Sequence, residues 1–365
     1  MVGSSGWHSL RVAEVRPEAG GAVCVAFHVP RGLREAFRFI QGQYLTLGTE
    51  IGGEEVGRSY SICSGVDDGC LKVGIKRIEG GAFSTYANER LRAGDEIRAL
   101  PPQGNFFTPL SADHDKRYLC ICIGSGITPI LSIVKTVLKR EPRSRVTLLY
   151  GNRNSATVMF KSELGFVKNR YLARFNWINI LSREEQDAEV LHGRLDNRKG
   201  AELQRKRLID IAATDEFFLC GPQSMISEVS RGLRGAGVDE ARIHYELFSS
   251  SAEDARAAVE KHLARARQHA GRVSDVTVTA AGRSARFELS SDGESILDGA
   301  LRNGADLPFS CKGGVCATCR ARLLEGQVEL DINHALSAQE LAEGLILTCQ
   351  AHPVSDRVAV DFDQL

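Results

Sequence analysis

Four of the ten cysteines in this chain of 365 residues follow one fixed pattern near the carboxyl end. Cys311, Cys316 and Cys319 share a single loop, and Cys349 comes after a further 29 residues. The spacing is therefore C-x4-C-x2-C-x29-C. These four thiols can act together only if the fold returns the distant cysteine to the loop. The pattern thus constrains the tertiary structure of everything between them.

This spacing is the one in which four thiolates hold a 2Fe–2S cluster. Gly313 and Gly314 lie inside the loop, where they let the backbone wrap closely and direct N–H groups at the cluster sulfurs. A structural zinc site is the alternative, but four-cysteine zinc sites usually pair two short C-x2-C knuckles. The predicted cluster ligands are Cys311, Cys316, Cys319 and Cys349.

The composition limits the class of protein. The 46 Lys+Arg and 46 Asp+Glu cancel, so nothing points to a nucleic acid or a membrane as partner. A length of 365 residues with 43% hydrophobic residues predicts two or three folded domains. The apolar run 119–138 is broken by Gly124, Gly126 and Pro129, which predicts a strand, turn and helix rather than a membrane span.

The cellular compartment bears on the remaining cysteines. Residues 1–10 lack a basic region, an apolar core and a cleavage site, so we expect a cytoplasmic protein. Thiols stay reduced in that compartment, which argues against disulfides. Five cysteines in the first two-thirds are expected to be small buried hydrophobic residues, namely Cys24, Cys63, Cys70, Cys120 and Cys122.

The region around the cluster ligands predicts a small α+β domain. Residues 273–278 and 285–289 alternate like paired strands, and Ser295 is placed to begin a helix. Ser337 and Glu340 form a capping-box pattern before the strand that carries the last cysteine. This order of hairpin, helix, cluster loop, strand, short helix and last cysteine resembles the plant-type ferredoxin (β-grasp) fold over residues 273–365.

The first two-thirds predict two further domains. Short, evenly spaced strands punctuated by glycine indicate an antiparallel β-barrel over residues 1–110. Apolar strands that alternate with helical stretches indicate an α/β domain with a parallel sheet over 111–248. Residues 249–272 are rich in Ala, Arg and Glu and predict a solvated, partly helical connector, with a possible cap at Ser251 and Asp254. A shuttling linker is the functional alternative, and the sequence leaves both open.

Two motifs on the barrel predict a flavin site. In the first, 58–61, an arginine beside an aromatic ring and hydroxyls suits a phosphate and a flat ring system. In the second, 80–85, two glycines lead into a helix whose free N–H groups suit a pyrophosphate. Each alone could be an ordinary strand or turn, but in this order they resemble the flavin site of the ferredoxin–NADP reductase family. The resemblance implies FAD rather than FMN, bound by Arg58, Ser59, Tyr60, Ser61, Ile75, Lys76, Gly81, Ala82, Phe83, Ser84 and Thr85.

Two motifs on the α/β domain predict a nicotinamide nucleotide site. A glycine turn directly follows the strand 119–123 and opens a helix, which is a cradle for a diphosphate, although Pro129 replaces the third glycine of a Rossmann motif. Cys220 ends a later strand, where open sheets bind ligands, and in the same family this segment lies near the nicotinamide. A buried thiol before a turn is the alternative for Cys220. The predicted residues are Gly124, Ser125, Gly126, Ile127, Thr128, Pro129, Cys220, Gly221 and Pro222.

The choice between NADPH and NADH depends on what meets the ribose 2′ position. Arg153 follows the second strand, and Ser182 with Arg183 follows the third, which resembles the phosphate site of NADP-specific relatives. Glu184 and Glu185 weaken the local positive potential, and solvated loop charge is the alternative. We expect NADPH to be preferred.

The whole layout resembles the reductase subunits of bacterial phenylacetyl-CoA epoxidases. The likeness is carried by residues 39–46, 58–65, 246–248 and 310–319. There are two departures, neither at a ligand position: Ala317 stands where a third adjacent cysteine is often found, and the connector is unusually charged.

The resemblance implies an oxidoreductase that passes electrons from NADPH through FAD and the 2Fe–2S cluster to the diiron oxygenase of such a complex in phenylacetate catabolism. Ser61 is expected to form a hydrogen bond with the flavin, and Glu246 to assist proton transfer at the flavin. Cys220 is expected to lie near the nicotinamide, and Phe248 to cover the flavin ring. A reductase for a Rieske-type or ketosteroid oxygenase is the first alternative. A non-redox zinc-binding interaction protein is the second.

Overall fold

The computed structural model describes residues 7–248, 260–261, 263–265, 267–269, 271–309 and 312–365. The chain divides into two compact units, of which the first is His8–Phe248 and the second contains the described residues from 260 onward. None of the helices described here is long and apolar enough to cross a lipid bilayer.

The first half of unit one is an antiparallel barrel. Its strands are β1 His8–Glu18, β2 Ala22–His28, β3 Tyr44–Ile51, β4 Glu54–Ser61, β5 Leu71–Lys76 and β6 Glu96–Ala99. They lie in the order β4-β3-β6-β1-β2-β5. The edge strands meet where Ile62 bridges Val73, which closes the sheet and confirms the predicted barrel. Helix α1, Ala82–Glu89, buries Phe83 in the barrel core.

The second half of unit one is a parallel sheet covered on both faces, as predicted. Its strands are β7 Arg117–Ile123, β8 Arg145–Asn152, β9 Phe175–Leu181, β10 Glu216–Gly221 and β11 Ile243–Leu247, in the order β11-β10-β7-β8-β9. The helices are α2 Ile127–Arg140, α3 Lys161–Arg170, α4 Asn197–Arg205 and α5 Gln223–Gly235. The strand order reverses between β7 and β10, and open sheets bind ligands at such a switch point.

Ion pairs join the barrel to the parallel sheet. Lys135 of α2 lies 2.5 Å from Asp68 of the barrel and 2.5 Å from Glu163 of α3. Arg140, at the end of α2, contacts both carboxylate oxygens of Asp67 at 2.8 Å. These contacts hold the two halves in one compact unit.

The second unit has the predicted α+β architecture. Its strands are β12 Val273–Ala280, β13 Arg283–Ser290, β14 Arg320–Glu325, β15 Val328–Leu330, β16 Leu345–Leu347, β17 Ala351–Pro353 and β18 Arg357–Asp361; its helices are α6 Ile296–Arg302 and α7 Ala338–Ala342. The main sheet has the order β13-β12-β18-β14-β16. Ser295 caps α6, and Ser337 with Glu340 forms the predicted capping box at the start of α7.

The connector differs from the prediction at one residue. Helical residues occur at 260–261, 263–265 and 267–268, as a partly helical connector requires. Arg265, however, is only 1% exposed, so this part of the connector is packed and not solvated. The predicted cap at Ser251 and Asp254 lies outside the described residues, and the domain boundaries stay predictions.

Candidate functional site

The glycine turn after β7 lies at the switch point of the parallel sheet. Gly124 has a φ of +56°, a conformation that favours glycine, and the hydroxyl of Tyr150 donates a hydrogen bond to its carbonyl at 2.9 Å. A Cβ on Gly126 would lie 2.3 Å from the carbonyl oxygen of Cys220. The two nucleotide motifs of the sequence analysis therefore contact each other, and they do so because position 126 has no side chain. No side chain caps the start of α2, so its N–H groups remain suited to an anion.

Three of the predicted catalytic residues come together from both halves of unit one. The hydroxyl of Ser61, the last residue of β4, donates a hydrogen bond to the Glu246 carboxylate at 3.0 Å. Glu246 lies in β11 directly beside Cys220 of β10. Burial raises the pKa of Glu246 to about 8, although the bond from Ser61 lowers it. At neutral pH this carboxyl group therefore holds a proton.

Cys220 and Phe248 differ in exposure. Cys220 is fully buried, and burial, with Glu246 and Cys122 adding to it, raises the pKa of its thiol well above the ordinary value. The thiol is therefore neutral and not an activated nucleophile. Phe248 follows the end of β11 and is 39% exposed. Its predicted role as a cover for a flat ring stays a prediction.

The first flavin motif runs along β4. The ring of Tyr60 lies 5.4 Å from that of Phe83, and burial raises the pKa of Tyr60. Arg58 is exposed, and the hydroxyl of Ser59 lies 3.1 Å from that of Thr46. Side chains alternate along a strand, so the two serines share one face and Arg58 shares the other with Tyr60. The arrangement offers an aromatic ring with a nearby guanidinium, as a flavin nucleotide requires.

The second flavin motif is the turn into α1. The hydroxyl of Ser84 donates to the Gly81 carbonyl at 3.1 Å and accepts from the Ile78 N–H at 3.1 Å. The Ser84 side chain therefore stabilises the turn by two hydrogen bonds to its backbone. Thr85 lines two open depressions of about 290 Å³ and 400 Å³ that meet at Gly80. The glycine pair and the helix N-terminus fit a pyrophosphate there, whereas Ile75 is fully buried in the barrel core.

A lysine of the barrel lies beside the glycine turn that follows β7. The ammonium of Lys76, at the end of β5, lies 3.6 Å from where a Cβ on Gly124 would be. Burial lowers the pKa of Lys76, and Arg153 lowers it further. A positive charge from the barrel therefore lies beside the predicted diphosphate cradle, and one from the parallel sheet is near enough to act on it. The sequence suggested Lys76 only through the family resemblance.

The predicted 2′-phosphate residues lie on two adjoining loops. The N–H of Arg183 donates to the Arg153 carbonyl at 2.8 Å, and both side chains are exposed. Glu184 faces Ser155, whose N–H and hydroxyl donate to one carboxylate oxygen at 2.7 Å and 3.0 Å. These bonds lower the pKa of Glu184. Glu184, which weakens the local positive potential in the sequence, is thus hydrogen-bonded to the neighbouring loop that carries Arg153.

Three of the four predicted cluster ligands are described. The thiols of Cys319 and Cys349 share a hydrogen bond, which raises the pKa of Cys319 and lowers that of Cys349. Cys316 is close enough to act on both thiols electrostatically. Cys311 lies outside the described residues. Among the described residues, which do not include Cys311, no group of three or more Cys, His, Asp or Glu side chains is arranged to hold a metal ion.

The loop nevertheless fits the cluster by its donor chemistry and curvature. Lys312, Gly314 and Ala317 all have positive φ, so the loop curls tightly. A Cβ on Gly314 would lie 2.7 Å from the Ile332 carbonyl oxygen, so only glycine fits this approach. Soft thiolates in this spacing are ligands for iron–sulfur clusters.

Several supporting residues were missed by the sequence analysis. Tyr150 orients Gly124, Thr46 meets Ser59, and Gln350 donates to the Lys312 carbonyl at 2.9 Å. Only Gln350 carries a signal in the sequence, because it directly follows a predicted ligand. Four of the five cysteines expected to be buried are buried, namely Cys24, Cys63, Cys120 and Cys122, whereas Cys70 is only half-buried.

Comparison with protein families identifies three domains. Residues 22–108 match the family described as Oxidoreductase FAD-binding domain, and residues 120–231 match Oxidoreductase NAD-binding domain. Residues 278–354 match 2Fe-2S iron-sulfur cluster binding domain. The predicted FAD, nicotinamide nucleotide and 2Fe–2S cofactors are therefore confirmed.

Full-length relatives have the same three-part layout. The chain is 44% identical over 357 residues to a subunit of the 1,2-phenylacetyl-CoA epoxidase of Escherichia coli, covering 98% of each chain. It is 33% identical over 370 residues to the ferredoxin reductase component of 3-ketosteroid-9-alpha-monooxygenase of Rhodococcus rhodochrous, covering 97% of this chain and 96% of that protein.

A solved structure shows the same fold. Phthalate dioxygenase reductase superposes with a TM-score of 0.59 at 20% identity and covers 98% of both chains. The domain order, the cofactor domains and the full-length identity agree with one another. The chain belongs to the family of ferredoxin–NADP reductase-like flavoproteins with a carboxyl-terminal 2Fe–2S ferredoxin domain, which are NAD(P)H-dependent electron-transfer reductases of oxygenase systems.

Proposed function

We propose that this protein is the NADPH-dependent reductase of a phenylacetyl-CoA epoxidase complex and delivers electrons to a multisubunit diiron oxygenase. The observation that carries the proposal is the 44% identity over 98% of the chain to one component of such an epoxidase. Identity to the ketosteroid monooxygenase reductase is 33%. The cytoplasmic location expected from the sequence stays a prediction.

Bound FAD would accept two electrons together as a hydride, and with the 2Fe–2S cluster it would allow them to be passed on one at a time. The residues described above supply the surroundings. Arg58 and Tyr60 would hold the flavin, and Gly81 with Thr85 would hold its pyrophosphate. Glu246, protonated at neutral pH, would keep a proton beside Ser61, and Phe248 would shield the ring from water.

The nucleotide would be held by the switch point of the parallel sheet. The turn at Gly124 and the start of α2 would take the diphosphate, with Lys76 as a nearby cation. Arg153 and Arg183 would take the 2′-phosphate, which supports a preference for NADPH. The neutral thiol of Cys220 would contact the nicotinamide by packing, since it is not ionised.

The partner is tested by reconstitution with purified oxygenases. We expect NADPH consumption coupled to product with the diiron oxygenase components of a phenylacetyl-CoA epoxidase. A Rieske-type 3-ketosteroid oxygenase is the matched comparison, and with it NADPH should be consumed without product. Coupling to the ketosteroid oxygenase alone would transfer the assignment to that class.

The route through the cluster is tested at Cys311, a predicted ligand. Cys311→Ser should abolish reduction of cytochrome c while NADPH–ferricyanide reduction continues, because ferricyanide takes electrons at the flavin. Cys70→Ser, at a half-buried cysteine without a predicted ligand role, should leave both rates unchanged. Loss of both rates in Cys311→Ser would count against the assignment.

A further inference from the structure

A buried arginine lies in the connector, outside every site described so far. Arg265 is only 1% exposed. Its Nε donates to the Ser291 carbonyl at 2.9 Å, and its Nη1 donates to the Asp331 carboxylate at 2.5 Å. A buried guanidinium is costly unless it is paired and hydrogen-bonded. These two directed bonds therefore specify where this part of the connector lies on the ferredoxin domain.

Asp331 is held from several sides. Its other carboxylate oxygen lies 3.1 Å from Nε2 of His352, and its N–H donates to the Gln350 carbonyl at 3.0 Å. Lys261, a second residue of the connector, donates to the Asp331 carbonyl at 3.0 Å. Two connector side chains thus meet at the same residue of the ferredoxin domain.

The segment that follows Asp331 forms a wall against the cluster loop. The carbonyl oxygen of Ile332 lies 2.7 Å from where a Cβ on Gly314 would be. Gln350, whose carbonyl anchors Asp331, donates its side-chain amide to the Lys312 carbonyl at 2.9 Å. The hydrogen bonds of Asp331 therefore adjoin the loop that carries the predicted ligands.

We propose that Arg265 is a positioning residue for the 2Fe–2S cluster. It acts through Asp331, and it sets the wall that fixes the curvature of the cluster loop. Groups outside the ligands orient them and tune the metal centre. The connector from residue 260 onward is then part of the cluster-binding domain, and its packing is needed for a tightly held cluster.

The test compares Arg265→Met with Arg267→Met in the full-length, cluster-loaded protein. Arg267 is another helical residue of the connector and is exposed, so it is a matched control. The readouts are the rate of iron release to a chelator and the EPR spectrum of the reduced cluster. Iron release from Arg265→Met should be about tenfold faster or more, with altered g values, and Arg267→Met should match the wild type. EPR of the frozen, folded protein reports the cluster surroundings, which a mere loss of stability would not change.

A double variant separates positioning from the cost of a buried charge. Arg265→Met with Asp331→Asn removes the carboxylate that loses its arginine but does not restore the two directed bonds, so iron release should stay faster than in the wild type. A return to the wild-type rate would assign the effect to the buried charge and overturn the proposal. If Arg265→Met is purified without a cluster, Arg265→Lys is measured instead, because lysine keeps the charge but not the fork of donors. The proposal would be overturned if Arg265→Met had the wild-type rate of iron release and the wild-type EPR spectrum. The same holds for Arg265→Lys if that variant has to be measured instead. Flavin content and ferricyanide reduction should be unchanged in each variant, which confirms that unit one is intact.

Discussion

At the scale of single residues, the fold changes the protonation of Glu246 at neutral pH. Burial raises its pKa to about 8, so the carboxyl group holds a proton at neutral pH beside the Ser61 hydroxyl. We expect the rate of flavin reduction by NADPH in stopped-flow measurements to fall as pH rises through about 8. Glu246→Gln cannot ionise, so its profile should be flat there. If the pH profile of Glu246→Gln showed the same inflection as the wild type, the inflection would belong to another titrating group.

The same residue makes stability depend on pH. The ordinary pKa of 4.5 applies to the unfolded chain, so between pH 4.5 and about 8 the folded protein keeps a proton that the unfolded chain releases. The contribution of Glu246 to the free energy of unfolding is therefore complete below pH 4.5 and is lost as pH rises through about 8. Urea unfolding of Glu246→Gln should show a gain over the wild type that is larger in mildly alkaline than in mildly acidic buffer. Equal differences in both buffers would contradict the raised pKa.

At the scale of elements, the loops after β8 and β9 form one platform. Glu184 accepts two hydrogen bonds from Ser155 and ties the loop of Arg183 to the loop of Arg153. We expect Glu184→Ala to raise the Kd of 2′,5′-ADP several-fold by loosening the platform, and Glu184→Gln, which keeps an acceptor, to stay near the wild type. Isothermal titration calorimetry measures each Kd.

Glu185, the exposed neighbour, separates this effect from simple charge. If the acidic side chains act only by repelling the phosphate, Glu184→Ala and Glu185→Ala should both tighten binding. In that case the platform would not depend on Glu184. A wild type that binds 5′-AMP as tightly as 2′,5′-ADP would instead count against the NADPH preference itself.

The close contact between the turn after β7 and the end of β10 depends on one glycine. A Cβ on Gly126 would lie 2.3 Å from the Cys220 carbonyl oxygen, which is rigid backbone. Gly126→Ala should therefore lower the free energy of unfolding by roughly 1–3 kcal/mol and weaken NADPH binding. Gly165→Ala, in α3 with no atom within 4 Å of the added Cβ, is the control and should not destabilise. Urea denaturation and nucleotide titration check both; equal stability of the two variants would contradict the close contact.

The elements predicted from the sequence are those with strong local patterns. Strands β7 to β10 have near-continuous apolar runs, since both faces of the parallel sheet are covered. Strand β1 was not predicted, because its few buried residues, such as Leu10 and Val12, alternate with polar or charged, exposed ones. Strand β2 was also not predicted, although nearly all of its residues are apolar and buried. Ser84 was predicted as a ligand from its motif, but its hydroxyl serves the turn. A sequence motif indicates where a site lies, but it does not show which of its polar atoms are already hydrogen-bonded within the protein.

At the scale of the whole molecule, the zero net charge hides two opposite charges. Residues 8–248 hold 34 Lys+Arg and 29 Asp+Glu, whereas residues 273–365 hold 7 and 14. The ferredoxin domain is thus strongly acidic. Reduction of cytochrome c, a basic acceptor, should slow as ionic strength rises from about 0.02 M to about 0.2 M, because salt screens the attraction. Cytochrome c with acetylated lysines should show little salt dependence; equal dependence for both would exclude attraction by this domain.

The sequence by itself determined the three domains and their cofactors. The cysteine spacing, the glycine turns and the apolar runs are local, and each carries its meaning within a few residues. The tertiary structure alone decided the states of individual groups. Ser61 and Glu246 are 185 residues apart in sequence, and Arg265 and Asp331 are 66 apart. Burial and partner choice arise only when such distant segments meet, so the protonation of Glu246 and the packing of Arg265 could not be predicted from the order of residues.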